Sequence, residues 1–371
     1  MRALGIAVAG ALVLIAGPAS AGGTIPDVWT HDIGTVAQNP DIRGRDGGWS
    51  APWDGRSVWS FGDTPLNVTG TDGDNWADDT LSWTADFDAS DGITLQHDLL
   101  DANDAPTEYL PLTAEEALYN EEHAGDHCQV EPCNAEYALW GGPVVADPAR
   151  DRILLGYLKI QRITGNPGWK TIGSGWAVWT PGGRVVRPIE TPGSPDPTLM
   201  FLGTGPSFVE GPVVVGDTLY NYGCTAGFLV QDCRVARVPL ADALDRRAWE
   251  YDAGGGVWSP NLADAAIVFQ GGAANSVFWS GYLGSFVDVY SQPVSSDVMY
   301  RTAPAPEGPW SGDELLFEGK PGVPGSIDYF GLAHPEYAED GGRIQYVTYV
   351  RNTGFLIFEF RIVKVAFGPP G

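Results

Sequence analysis

The chain has 371 residues, with 21 lysines and arginines against 47 aspartates and glutamates, and a formal net charge of −26. Nucleic-acid phosphates and anionic membrane surfaces bind clusters of positive charge, so this balance argues against DNA, RNA and membranes as partners. Fourteen each of tryptophan, tyrosine and phenylalanine supply material for a folded core and exclude disorder as the main state. The 49 glycines and 29 prolines disfavour long helices and favour short strands joined by turns.

The N-terminus has the pattern of a secretory signal peptide. Arg2 supplies a positive charge, residues 3–16 form an apolar run rich in small residues, and Ala19-Ser20-Ala21 matches the A-x-A cleavage pattern. The run is too short to cross a bilayer as a helix. We therefore expect a signal peptide over residues 1–21, a lead-in over residues 22–39, and a secreted protein that is extracellular or periplasmic.

Strand patterns recur along the rest of the chain. Segments rich in valine, isoleucine and aromatic residues alternate with clusters of glycine, proline and aspartate, as is typical of strands bounded by turns. They cover residues 56–61, 152–160, 175–179, 218–222, 233–238, 286–290, 298–302, 343–350 and 355–367.

Helix patterns are few. Thr113 and Glu116 form a capping-box pattern that predicts a helix ending near Glu122, and a second helix is expected over residues 241–249.

Export places the four cysteines in an oxidising compartment, where disulfides form. Cys128 and Cys133 flank a four-residue loop, and Cys224 and Cys233 stand at the ends of a predicted hairpin. Short spacing favours local pairing among the three possible connectivities. We expect the disulfides Cys128–Cys133 and Cys224–Cys233.

The architecture follows from the length of the mature chain, because about 350 residues exceed what one hydrophobic core usually supports and no linker divides them. A β-propeller resolves this conflict, since each blade brings its own small core. Five segments can each begin a blade with an inner strand, and they centre near residues 46, 137–141, 207–210, 275–277 and 331–336. We predict an all-β, five-bladed β-propeller over residues 40–368. The alternative is a β-sandwich-rich single domain, because no strict repeat is present.

Several common active-site motifs are missing from the sequence. It contains no G-x-S-x-G elbow, no H-E-x-x-H and no G-x-x-x-x-G-K-[ST], which argues against serine hydrolases, zincins and nucleotide-binding enzymes. The acidic run from Asp72 to Asp79 has enough carboxylates for a structural calcium ion but lacks the spacing of a known loop. A solvated acidic turn is favoured. We expect no cofactor and no other metal.

Certain acidic residues stand beside glycine and aromatic residues at the predicted inner strands. Hydrolysis of a glycoside requires one carboxyl group that donates a proton and another that activates water or attacks directly, with aromatic rings that stack on sugars. The candidates are Asp46, Asp63, Glu136, Glu210 and Glu336. This chemistry predicts a hydrolase that acts on a neutral polysaccharide.

A series of motifs stands in a fixed order along the chain. Arg45-Asp46-Gly47-Gly48 comes first, Val58 to Thr64 follows, and further motifs lie at residues 82–93, 235–251, 301–311 and 334–343. In this order they resemble a bacterial family known as domain of unknown function 4185, and the first two are similar to the opening of that family. The resemblance covers residues 40–367 and implies a relation to five-bladed propeller glycosidases, including endo-D-arabinanases, with a sugar site at the axis. It implies an arabinan-type furanoside polymer as the substrate.

A second resemblance implies roles for individual residues. Val209-Glu210-Gly211-Pro212 is similar to the strand that carries the general acid in family 43 glycosidases. It implies Glu210 as the proton donor and Asp46 as the base or nucleophile, with Glu336 as the next candidate acid. Those enzymes usually carry a third carboxylate on the second blade, where residues 139–143 offer none, so Glu136 is the candidate substitute. The expected sugar-binding residues are Trp49, Asp63, Glu136, Trp140, Asn275 and His334.

Two alternatives to a hydrolase stay open. The missing second-blade carboxylate is consistent with a catalytically inactive propeller that only binds carbohydrate. The low lysine content, 4 of the 21 basic residues, is consistent with a structural envelope protein of a salt-adapted organism. For the hydrolase and for the binding protein, we expect a monomer whose partner is a carbohydrate polymer or oligosaccharide.

Overall fold

The computed structural model describes residues 27–164, 168–180, 182–188, 194–203, 205–225, 231–272, 274–354 and 357–368. The predicted signal peptide over residues 1–21 lies outside the described residues. Within them the chain forms antiparallel strands and one α-helix, which confirms the predicted all-β class. No helix in this part of the chain is long and apolar enough to cross a membrane.

The first strand, β1 (Val28–Thr35), pairs within the last sheet and is described with it below. The first sheet begins with a hairpin that joins β2 (Gly47–Trp53) to β3 (Arg56–Phe61). Asp54 and Gly55 in the turn both have positive φ values, 45° and 71°, as a two-residue type I′ turn requires. A separate short pair follows, β4 (Thr64–Pro65) with β5 (Trp76–Ala77). β6 (Thr80–Thr84) and β7 (His97–Asp98) complete the sheet in the order β2-β3-β6-β7.

The helix α1 (Ala114–His123) follows this sheet and has the predicted capping box. The Thr113 side chain accepts a hydrogen bond from the Glu116 N–H, and the Glu116 carboxylate accepts one from the Thr113 N–H. The helix predicted over residues 241–249 is wrong, because only two short 3-10 turns form there. Asp245 has extended backbone angles and its side chain accepts from the Arg247 N–H, so it starts a new turn and interrupts a continuous helix.

The second and third sheets continue in chain order. The second sheet contains β8 (Glu136–Asp147), β9 (Arg152–Arg162), β10 (Trp169–Trp179) and β11 (Phe201–Leu202). The third sheet contains β12 (Glu210–Val215), β13 (Thr218–Cys224), β14 (Gln231–Pro239), β15 (Glu250–Asp252), β16 (Trp258–Ser259) and β17 (Phe269–Gly271), which pairs with β14.

The fourth and fifth sheets complete the described chain. The fourth contains β18 (Asn275–Ser280), β19 (Ser285–Ser291), β20 (Asp297–Ala303) and β21 (Glu314–Glu318). The fifth contains β22 (Tyr329–Ala333), β23 (Ile344–Gly354) and β24 (Ile357–Phe367). β1 pairs antiparallel with β24, from Val28 opposite Phe367 to Thr35 opposite Arg361. The two ends of the described chain therefore share one sheet.

The sheets pack face to face, and apolar side chains fill the spaces between neighbours. Trp59 of the first sheet packs with Tyr346 and Phe360 of the fifth, while Trp176 of the second sheet clusters with Leu219 of the third. Similar clusters lie between the first and second, third and fourth, and fourth and fifth sheets. The first strands also touch in succession, β2 with β8, β8 with β12, β12 with β18, β18 with β22, and β22 with β2. The core is thus divided among the interfaces between sheets.

Candidate active site

A cavity of about 500 Å³ opens among the first strands. It brings together five of the residues predicted from the sequence, Asp46, Trp49, Asp63, Trp140 and Glu210. β-Bulges interrupt the pairing of β2, β8, β12 and β22 close to this cavity, and such bulges redirect side chains. Phe208, which lies two residues before Glu210, and Phe330 in the wall have φ values of 43° and 53°, which bulky residues rarely adopt away from functional sites.

Asp63 is held by three donors that all bind one of its oxygens. Its Oδ1 accepts hydrogen bonds from Arg162 Nη2 at 2.9 Å, Trp140 Nε1 at 3.1 Å and Trp76 Nε1 at 3.3 Å. No described residue donates a hydrogen bond to Oδ2. Burial raises the pKa of Asp63 above its ordinary value, whereas Arg162 and the two indole N–H groups favour the charged form. The second oxygen of Asp63, Oδ2, is therefore left without a donor among the described residues and is able to take part in a reaction.

Asp46 lies next to Asp63 in a different environment. The two residues are joined through the backbone, because Asp46 N–H donates to the Asp63 carbonyl at 3.0 Å and Gly62 N–H donates to the Asp46 carbonyl at 2.9 Å. The Tyr329 hydroxyl donates to Asp46 Oδ1. Burial, together with the negative charge of Asp63, raises the pKa of Asp46 to about 7, against the effect of Tyr329. Asp46 therefore retains its proton under mildly acidic conditions.

Glu210 begins β12 and is only 8% exposed. Its Oε1 accepts a hydrogen bond from Ser207 Oγ at 2.7 Å, while Oε2 is buried with no hydrogen-bond partner among the described residues. Burial raises the pKa of Glu210 well above its ordinary value. Glu210 therefore lies in the wall of the cavity and is more buried than Asp46.

Aromatic rings form much of the remaining wall. Trp49 packs edge-on against Phe330 with ring centroids 5.3 Å apart, and Trp140 packs in the same way against Trp169 at 5.0 Å. Trp169 is 39% exposed, so part of its ring faces solvent at the cavity rim. The combination of carboxyl groups and exposed indole surface suits a neutral sugar, whose apolar faces stack on aromatic rings.

The sequence between residues 33 and 353 matches a single family model, described as domain of unknown function DUF4185. The chain belongs to the DUF4185 family. Among curated proteins, no relative matches this DUF4185 protein. Its fold is similar to that of a putative hydrolase from Bacteroides ovatus, with a TM-score of 0.57, 14% sequence identity and coverage of 93% of each chain. At this identity the likeness concerns the fold.

Two structures of named glycoside hydrolases also align with the DUF4185 protein. Zg3597 from Zobellia galactanivorans, a family 117 glycoside hydrolase, has a TM-score of 0.49 at 11% identity and covers 92% of this chain and 90% of its own. The GH43_1 enzyme from Xanthomonas citri, in complex with xylotriose, has a TM-score of 0.48 at 11% identity and covers 90% of this chain and 89% of its own.

Four predicted site residues of the DUF4185 protein lie outside the cavity. Glu136 pairs with Arg162 Nη1 at 2.8 Å and lines a neighbouring cavity. Asn275 is buried, and its Nδ2 donates to the Gly272 carbonyl at 3.2 Å. The remaining two, His334 and Glu336, belong to a hydrogen-bonded cluster that joins the first and fifth sheets.

In that cluster Ser50 Oγ lies 2.6 Å from His334 Nδ1 and also donates to Glu336 Oε1. Thr348 Oγ1 lies 2.7 Å from His334 Nε2, and Ser57 Oγ donates to Glu336 at 2.8 Å. Burial lowers the pKa of His334 to about 3, so the ring is neutral. The geometry of His334 and Glu336 in the DUF4185 protein is that of a buried link between sheets.

The acidic run predicted to form a turn or a calcium loop lines the neighbouring cavity of about 150 Å³. Asp72, Asp74, Asp78 and Asp79 lie there with Glu108 and Glu136, opposite Arg162. In the parts of the chain that the structure describes, no group of three or more histidine, cysteine, aspartate or glutamate side chains is arranged to hold a metal ion.

Sequence reasoning missed Arg162, Trp169 and Tyr329. Arg162 and Trp169 are register partners on β9 and β10, so one hairpin brings both to the cavity of the DUF4185 protein. Pairing two predicted strands with each other on either side of Gly168 would have placed Arg162 and Trp169 opposite one another. Tyr329 begins β22 and reaches Asp46 across 283 residues of sequence. Nothing in the local sequence indicates that contact.

Proposed function

We propose that this protein is a secreted glycoside hydrolase that cleaves a neutral polysaccharide within a five-bladed β-propeller. Five sheets, a closed succession of contacts among their first strands, and the pairing of β1 with β24 support the propeller. The two disulfides support export. The observation that carries the enzymatic proposal is the pair Asp46 and Asp63. They are neighbours in one aromatic cavity, and their contacts differ, because Asp63 faces Arg162 and two indole N–H groups whereas Asp46 faces one hydroxyl and the charge of Asp63.

In this proposal Asp46 donates the proton and Asp63 acts as the anion. Asp46 protonates the oxygen of the scissile glycosidic bond, and the free Oδ2 of Asp63 activates water or attacks the sugar carbon directly. Both side chains are partly exposed to the cavity, whereas Glu210 is almost fully buried in its wall. We therefore assign Glu210 to the wall of the site. The alternative is that Glu210 donates the proton, as the sequence predicts. The same mutants distinguish Asp46 from Glu210 in this role.

The substrate class follows from the charge and the wall of the cavity. A net charge of −26 disfavours acidic polymers, and five aromatic residues in the lining, Trp49, Trp140, Tyr157, Trp169 and Phe330, favour neutral sugars. An arabinan-type furanoside polymer is the first candidate, because the resemblance of the motifs to the DUF4185 family implies a relation to endo-D-arabinanases. Galactans and xylans are the comparison substrates.

The test measures new reducing ends released from arabinans, galactans and xylans by the wild type, Asp46→Asn, Asp63→Asn and Glu210→Gln. Loss of a general acid or base typically lowers the rate by about 10²–10⁴-fold, which we expect for both aspartate variants on the active substrate. Glu210→Gln should retain more than about a tenth of the turnover. Asp151→Asn, the same change at an exposed turn, is the matched control.

Two results would contradict the proposal in different ways. If Glu210→Gln lost activity while Asp46→Asn kept it, the acid would be Glu210 and the assignment would be wrong. If the wild type bound an oligosaccharide but released no reducing ends from any substrate, the protein would be a carbohydrate-binding propeller.

A further inference from the structure

Arg162 lies between two cavities, the cavity of about 500 Å³ that holds Asp46 and Asp63 and the neighbouring acidic cavity of about 150 Å³. It ends β9, where its cross-strand partners are Glu136 and Trp169. Its Nη2 lies 2.9 Å from Asp63 Oδ1 and 2.6 Å from Asp78 Oδ1, and its Nη1 lies 2.8 Å from Glu136 Oε1. One guanidinium group therefore serves three carboxylates, and it lines both cavities.

We propose that Arg162 is a positioning residue, which keeps Asp63 charged and fixes its carboxylate so that Oδ2 is left free. Its planar group of donors can bind several carboxylates at fixed angles, whereas a lysine ammonium is a flexible point charge. The kinetic consequence of this inference depends on the proposed hydrolase function. The effect on the charge of Asp63 does not, because it follows from the contacts alone.

The groups around Asp63 make the inference testable against an internal control. Arg162 is the only basic residue that interacts with Asp63 among the described residues, while Asp46 and Asp78 are acidic neighbours and Tyr329 lies close by. Repulsion from the charge of Asp63 contributes to raising the pKa of both acidic neighbours to about 7, so Asp63 ionises while they are still largely protonated. Removing Arg162 should therefore make Asp63 harder to ionise, whereas replacing Asp78 by asparagine should change the ionisation of Asp63 much less.

The direct experiment follows the titration of Asp63 by NMR in protein labelled with ¹³Cγ-aspartate, with the Asp63 signal assigned by its loss in Asp63→Asn. An opposite charge at this distance typically lowers a carboxyl pKa by about 1–3 units, so Arg162→Gln should raise the midpoint by a comparable amount. Asp78→Asn should leave the midpoint close to that of the wild type, because Asp78 is largely protonated while Asp63 titrates. Arg162→Lys should keep most of the wild-type midpoint. Arg237→Gln, which breaks a surface ion pair with Glu250, is the matched control and should change nothing.

The kinetic experiment uses the pH dependence of kcat/KM on the active substrate. The acidic limb reports ionisation of the base, so it should move to higher pH in Arg162→Gln and stay near its wild-type position in Asp78→Asn. In Arg162→Lys the limb should stay near its wild-type position while kcat falls, because charge is restored but orientation is not. A purely structural role would lower activity without moving the limb.

The outcomes separate this inference from the proposed function. An Asp63 midpoint that is unchanged in folded Arg162→Gln would overturn the inference, as would an equally large upward shift in Asp78→Asn. If the midpoints shifted as expected but no substrate were cleaved, the role of Arg162 in setting the charge would stand and the hydrolase proposal would fail. Circular dichroism of each variant establishes that it is folded.

Discussion

At the scale of single residues, the cavity that holds Asp46 and Asp63 disfavours the charged form of its carboxyl groups. Asp46 lies partly buried beside Asp63 with one hydroxyl donor, and an ionised carboxylate there costs free energy that the fold supplies elsewhere. Active sites commonly combine such a cost in stability with a gain in function. The stability of Asp46 variants therefore reports on the site without any substrate.

Asp46→Asn should be more stable than the wild type at high pH. A carboxyl group whose pKa rises from 3.8 to about 7 on folding binds more protons in the folded state between these values. The wild-type free energy of unfolding therefore falls as pH increases through this window, and asparagine removes that contribution. The difference between the variant and the wild type should be near zero at pH 4 and reach at most about 4 kcal/mol at pH 8. Urea unfolding at pH 4, 5.5 and 8 measures it, and a difference independent of pH would contradict the assignment.

The sequence identified residues of the site best where a short motif and an inner strand coincide. Asp46, Asp63 and Glu210 satisfy both conditions and line the cavity. Glu336 and His334 also stand near a predicted inner strand, but their side chains point into a polar cluster between sheets, and a linear motif does not specify that direction. Residues that reach the cavity from a partner strand, such as Arg162, need the pairing of strands to be known.

At the scale of elements, the two disulfides confirm the predicted local pairing but constrain different surroundings. Cys224 and Cys233 are opposite each other on β13 and β14, and both are buried beside Tyr222 and Val235. Cys128 and Cys133 are five residues apart in a loop after α1, where they are partly exposed. The Cys224–Cys233 disulfide therefore links two strands of a sheet, and the Cys128–Cys133 disulfide closes a loop.

Replacing Cys224 and Cys233 together by alanine should therefore destabilise the protein more than the same change at Cys128 and Cys133. The typical cost of losing a native disulfide is about 2–5 kcal/mol, and the buried pair also loses packing of its sulfur atoms. Thermal unfolding of both double variants under identical non-reducing conditions measures the order. Equal loss in the two variants would show that loop closure alone determines the contribution.

Local composition predicted nine of the 24 strands in the described residues, since valine, isoleucine and aromatic residues bounded by turns mark residues 152–160, which lie inside β9, and residues 343–350, which belong to β23 from Ile344 onward. The short edge strands were not predicted, because two or three residues such as Phe201–Leu202 carry no periodic pattern. The predicted helix over residues 241–249 failed for a related reason. A single side-chain cap from Asp245 outweighed the helical preference of its alanine and leucine neighbours.

At the scale of the whole molecule, the length of the chain was informative because it exceeded the usual size of one core. The structure divides its apolar residues among clusters between successive sheets, so no single core has to cover the whole chain. Such an arrangement leaves the first and last sheets dependent on their mutual contact. The contact of β22 with β2 provides it, and the pairing of β1 with β24 places the start of the described chain in the last sheet.

Deleting β1 should therefore weaken the molecule well beyond the loss of eight residues. The deletion exposes the edge of β24, removes the backbone hydrogen bonds from Val28 to Thr35, and leaves Arg361 and Lys320 without Asp32. We expect the Tm of a chain that begins at Val36 to fall by more than about 5 °C relative to one that begins at Asp27. Asp32→Asn in the longer chain separates the ion pairs from the strand pairing, and it should account for a minor part of the loss because Lys320 is exposed and Arg361 keeps Glu359 as a second partner. An unchanged Tm on deletion would mean that the fifth sheet is held by β22 to β24 alone, and that the shared sheet at the chain ends does not stabilise the closed arrangement.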